Sequence, residues 1–168
     1  MNHTQLLSQL IDIIRFRSGP QDLPASGNIL IMAVLASGII SLVGFSGMGI
    51  TGSAMAQIII ATLFGLLFLR VALQFRGGAN RFTQAATAMF GTDALLTMVA
   101  LPATMGLDPG AETASSLAVF WLLLVLLWTV AVISHIFRHA LDLPLPGGIL
   151  VAVLYLFLSL NVTSALVA

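Results

Sequence analysis

Two kinds of hydrophobic patterning divide the chain. Over residues 1–19 (MNHTQLLSQLIDIIRFRSG) the apolar positions Leu6, Leu7, Leu10, Ile11, Ile13, Ile14 and Phe16 are interleaved with Gln5, Ser8, Gln9, Asp12, Arg15 and Arg17. Such mixing makes an amphipathic helix, too short and too polar to cross a bilayer. It predicts an interfacial helix lying on the membrane. A signal peptide would carry its positive residues ahead of the apolar run, whereas here the arginines follow it. Gly19-Pro20 ends the helix, and QDLPAS reads as a short polar turn.

Beyond the turn the patterning changes to long apolar runs. They cover approximately 28–45, 54–75, 82–101, 115–137 and 148–167. Each is close to the ~20 residues that a helix needs to cross ~30 Å of hydrocarbon. Barrel strands would be about 10 residues long and alternating. The expected fold class is therefore an all-α integral membrane protein. Its transmembrane domain of about five helices occupies 28–167, preceded by the N-terminal amphipathic interfacial helix. The third run is the most polar, and Pro102 fits a helix that stops short of the membrane surface. Gly38, Ser41 and Gly44 in the first run, with Gly49, Gly52 and Ser53 just beyond it, suit close packing within the bundle or contact in an oligomer.

Composition agrees with lipid as the solvent. Charged residues make up 7% of the chain, against roughly 25% in soluble domains, too few to build a water-facing surface. With net charge zero there is no basic footprint for nucleic acid. The absence of cysteine removes disulfides and thiol chemistry. Arginine supplies every basic side chain, and its placement sets the topology. Arg15 and Arg17 precede the first run, Arg70 and Arg76 close the second, Arg81 opens the third and Arg138 closes the fourth. The loop between the third and fourth runs carries Asp108 and Glu112 but no arginine. Five crossings put every arginine on one side, which the positive-inside rule makes cytoplasmic. The expected location is a bacterial inner membrane, with the N-terminus cytoplasmic and the C-terminus periplasmic.

Against this apolar background Asp93 stands out. Eleven residues into the third run, it falls near mid-membrane, where a lipid-facing carboxylate costs several kcal/mol. It is expected inside the bundle or at a protein interface. A protonated or hydrogen-bonded carboxyl locking two helices together is one reading, and a proton or ion relay is another. A third is a break of the helix at Phe90-Gly91-Thr92.

A second polar cluster closes the fourth run. His135, Arg138, His139 and Asp142 are spaced i, i+3, i+4 and i+7 and share a helix face. Two histidines one turn apart suit a metal or a haem iron, but the spacing is not H-E-x-x-H, and Glu112 is the single glutamate of the chain. A polar helix end packed on its neighbours is the plainer reading. Arg76 or Arg81 is the nearest mate for Asp142. With Arg15, Arg17 and Arg70 these residues make a basic rim suited to anionic lipid headgroups. Trp121 and Trp128 lie about 10 Å apart along the fourth run, too far to mark one interfacial belt, and are read as packing residues. No catalytic set, metal site or cofactor site is expected.

The stretches FRSGPQDLPAS, RFTQAATAMFGTDALLTMVALP and WTVAVISHIFRHALDLPLPGGI resemble small bacterial membrane proteins of the Yip1-like superfamily. Gly19, Pro20 and Asp22 carry the resemblance in the first stretch. Arg81, Phe82, Gln84, Asp93 and Pro102 carry it in the second, and Trp128, His135 and His139 in the third. The resemblance implies five helices behind a cytoplasmic N-terminal stretch, and no enzymatic activity.

Three functions follow as expectations. The first is a non-enzymatic accessory or assembly subunit, binding other membrane proteins or further copies of itself. The second is a small oligomeric transporter or channel with Asp93 on its path. The third is a metal or haem protein using His135 and His139.

Overall fold

In the computed structural model, which describes residues 3–48, 52–105 and 115–167, the chain is all-α, with six α-helices and no strand among the described residues. The helices are α1 (His3–Ile14), α2 (Gly27–Gly47), α3 (Ala54–Phe75), α4 (Phe82–Met105), α5 (Ser116–Ala140) and α6 (Leu145–Val167). Short 3-10 turns at Pro20–Asp22 and Ala79–Arg81 precede α2 and α4. Helices α2 to α6 are each long and apolar enough to cross a membrane, as expected. Asp108 and Glu112 lie outside the described residues.

Helix α4 is the spine of the bundle. Its most extensive contact is with α2, then α5, while α3 leans chiefly on α6 and α2. Helix α3 touches α4 only lightly. The central position explains the polarity of α4. Ala85, Ala86, Thr87, Ala88, Met89, Phe90, Gly91 and Thr92 are all buried, so this helix faces protein where the others face lipid. The buried Thr87 and Thr92 hydroxyls return to their own helix, donating to the Thr83 and Ala88 carbonyls. The other four spanning helices carry exposed apolar stripes such as Ile31, Leu35 and Ile39 on α2 and Leu63 and Leu67 on α3. That exposure is what a lipid-facing surface requires.

Two boundaries differ from the sequence reading for physical reasons. Helix α4 does not stop at Leu101 but runs through Pro102 to Met105. Proline has no N–H for the Met98 carbonyl and crowds the ladder around it. The Trp121 indole of α5 donates to the Val99 carbonyl at 3.0 Å, one residue beyond the Met98 carbonyl that Pro102 leaves without its helical donor. Helix α5 continues to Ala140, which places His135, Arg138 and His139 in its closing turns.

The N-terminal segment packs more deeply than its pattern suggested. Leu10 and Ile13 of α1 are buried, in one cluster with Leu23, Ala88, Leu96, Val132 and Ile136. Gly91 makes the fit possible, since a Cβ there would stand 2.8 Å from the Leu10 Cδ2. Gly91 is nine residues into α4, or about 13 Å along it. α1 is therefore seated on the wall formed by α4 and α5. The QDLPAS segment is likewise anchored. Pro20 and Leu23 are buried, the Gly19 N–H donates to Asp22 at 2.8 Å, and the Gln84 side chain donates to the Gln21 and Leu23 carbonyls at 3.0 and 2.6 Å.

Candidate functional site

Asp93 faces the interior of the bundle. Ser37 of α2 donates its hydroxyl to Asp93 Oδ2 at 2.5 Å, tying the two most intimately packed helices together. The partly accessible remainder of Asp93 looks into a cavity of about 300 Å³. The hydroxyl and amide groups of Ser37, Ser41, Gln57, Thr62, Thr129, Tyr155, Ser159 and Thr163 line it, contributed by α2, α3, α5 and α6. Thr163 Oγ1 is buried there with no hydrogen-bond partner among the described residues. Apolar side chains, among them Ile58, Ala61, Leu156 and Leu160, supply most of the remaining surface.

The cavity is one-sided. Phe45 near the end of α2, Gln57 in the first turns of α3 and Thr163 near the end of α6 extend it toward the bundle end that lacks arginine. In the opposite direction it closes on Met89, Phe90 and Ile133. Behind them lies an aromatic knot of Phe64, Phe68, Phe137 and Tyr155, with ring centroids 5.3 to 6.1 Å apart. Gly65 lets the knot close, because a Cβ there would meet Met89 Cε at 3.0 Å and the Tyr155 hydroxyl at 3.1 Å. Asp93 thus sits between a vestibule of mixed polarity and an apolar floor.

The arginine-bearing end is organised separately. Arg81 pairs with Asp142 at 2.8 Å, both partly exposed, and it is the one salt bridge among the described residues. Arg76 donates to the carbonyls of Leu141 and Asp142 at 3.1 and 3.2 Å, capping the end of α5. The Asp142 backbone is left-handed, with φ 50°, as α5 turns toward α6. Arg70 lies over the Phe82 ring at 5.4 Å. His135 shares a hydrogen bond of 2.8 Å with the Ser18 carbonyl, so one ring nitrogen is committed to the N-terminal segment. The His139 ring stands 4.4 Å from it. Among the described residues no group of three or more His, Asp or Glu is placed to hold a metal ion. Phe16, in a left-handed conformation with φ 60°, packs tilted against Trp128 and edge-on against His135, with ring centroids 5.7 and 5.3 Å away.

Asp93 and the His135–Asp142 cluster therefore belong to two different places in the bundle, opening onto separate cavities. The vestibule hydroxyls escaped the sequence reading because isolated Ser and Thr residues are common in spanning helices. Their signal, available only after the helices are placed, is that they line from four helices the cavity that Asp93 borders. No family model, no curated protein and no solved structure matches the chain.

Proposed function

We propose that this chain is a small membrane transport protein in which Asp93 binds a proton or a small cation entering through the vestibule. One observation carries the reading: a carboxyl half-way along the central helix faces a cavity that holds hydroxyl and amide groups from four helices and extends toward the arginine-free end of the bundle. Intramembrane carboxyls facing polar cavities mark ion and proton paths. The alternative role for Asp93, a tie between α2 and α4, needs the Ser37 contact but has no use for hydroxyls from α3, α5 and α6. In this reading the vestibule is the open side and the aromatic knot is the closed gate. With the arginine-rich end cytoplasmic, the vestibule opens to the periplasm of a bacterial inner membrane. Membership of the Yip1-like superfamily is part of the proposal. The five long helices behind a docked N-terminal segment and the motifs around Gly19, Asp93 and His135 support it.

Flux into proteoliposomes loaded with a pH-sensitive dye, or with a fluorescent indicator of monovalent cations, tests the proposal. The protein should carry protons or a small cation, and Asp93→Asn should abolish the flux while the protein stays folded. Absence of flux, or undiminished flux in the variant, would overturn it.

A second reading, an accessory subunit docking through the arginine-bearing end, draws on Arg15, Arg17 and Arg138. These are exposed and make no ion pair among the described residues. Copurification of a membrane partner in mild detergent, lost when these arginines are replaced by glutamine, would favour it. A chain isolated alone from its native membrane would count against it.

A further inference from the structure

The second cavity of the bundle has a layout of its own. A groove of about 520 Å³ runs along α5 and the beginning of α6, with Phe16 at its corner. Arg138, His139 and His135 form one end, and Leu127, Val130, Ala131 and Ile149 form the walls. No acidic side chain lines it. The nearest carboxylates are already engaged, Asp142 by Arg81 and Asp22 by the Gly19 N–H. Arg138 is exposed, and its guanidinium has no hydrogen-bond or ion-pair partner among the described residues.

We propose that this groove is a binding site for one anionic phospholipid, with its phosphate on Arg138 and His139 and an acyl chain along Leu127, Val130 and Ile149. Polarity changes along the groove in the direction that a leaflet lipid presents it. The cationic end is at the arginine-bearing rim, and the apolar walls lead toward the bilayer centre. From Arg138 to Leu127 is eleven residues, about 16 Å along the helix, close to half the ~30 Å hydrocarbon thickness. A guanidinium gives the phosphate charge-assisted, bidentate hydrogen bonds. The imidazole one residue on adds a further polar contact. Gly148 shapes the groove by drawing α6 against α5, since a Cβ there would stand 2.7 Å from the Ser134 carbonyl oxygen and 2.9 Å from Arg138 Cβ. Phe16 is held at the corner in a backbone conformation that bulky residues rarely adopt. The site is independent of Asp93 and of the transport reading.

The full-length protein, reconstituted in nanodiscs of equimolar phosphatidylglycerol and phosphatidylcholine, is extracted into mild detergent and its retained lipid is counted by native mass spectrometry. The wild type should keep one phosphatidylglycerol in preference to phosphatidylcholine. Arg138→Gln should lower that retention about tenfold, the scale of losing one charge-assisted contact, and Arg17→Gln should leave it unchanged. Ala131→Trp, which fills the groove without changing charge, should lower retention as well. Both changes are at exposed positions, and an unaltered melting temperature confirms the fold. Equal losses in Arg17→Gln and Arg138→Gln would mean a diffuse basic rim and overturn the site. So would full retention in Ala131→Trp, or displacement of the lipid by millimolar inorganic phosphate, which would leave the groove without a role.

Discussion

Replacing Ser37 by alanine removes one hydroxyl and tests the contact at the centre of the candidate site. The Ser37 hydroxyl donates to Asp93 Oδ2 at 2.5 Å between α2 and α4. Leaving a buried acceptor unpaired costs about 1–3 kcal/mol in a dry interior. Interhelical hydrogen bonds in membranes average about 0.6 and reach about 1.7 kcal/mol. Asp93 also borders a cavity of about 300 Å³, from which water can replace the lost donor. The expected destabilisation is therefore about 1 kcal/mol, near the lower limit for a dry site. Asp93→Ala removes the other partner, and the double variant closes a thermodynamic cycle. Unfolding in mixed micelles, followed by circular dichroism, should give a coupling of about 0.5–1.5 kcal/mol. Single effects that add to within about 0.3 kcal/mol would show that the two side chains do not interact, refuting the argument that Asp93 is held by α2.

Two further substitutions test other close approaches. Gly148→Val should destabilise the α5–α6 pair by more than about 2 kcal/mol, because the added Cβ meets a backbone oxygen at 2.7 Å; an unchanged melting temperature would contradict the crossing geometry. Trp121→Phe should cost about 0.5–1 kcal/mol by removing the α5–α4 hydrogen bond to the Val99 carbonyl, and an unchanged melting temperature would remove the indole from that role.

Much of the architecture could be read along the chain because lipid imposes a plain rule, that spanning helices show about 20 consecutive apolar residues. Asp93 was legible for the same reason, as a costly group that needed an interior. The Arg81–Asp142 pair followed from topology, since the ends of α3 and α5 and the start of α4 meet at one rim. What could not be read is what depends on helix placement. Ser37 is one small residue among several on α2, and nothing in the linear sequence sets it opposite a residue 56 positions away. The seat of α1 depends on a glycine at position 91, where the sequence offers a break as readily as a fit. His135 looked like half of a metal site, and its contact with the Ser18 carbonyl needs a fold that brings residues 117 apart together. Pro102 looked like a helix end, yet α4 runs through it to Met105, and the Trp121 indole that reaches the nearby Val99 carbonyl comes from another helix.

The one-sided vestibule changes where the membrane voltage acts. On the transport reading, a vestibule wetted as far as Asp93 would carry the potential of the arginine-free end inward and concentrate the field across the layer built from Phe64, Phe68, Phe137 and Tyr155. A unit charge crossing the whole membrane exchanges about 2.3 kcal/mol per 100 mV. Most of that exchange falls on the aromatic layer. A cation arriving at Asp93 from the vestibule senses little of it.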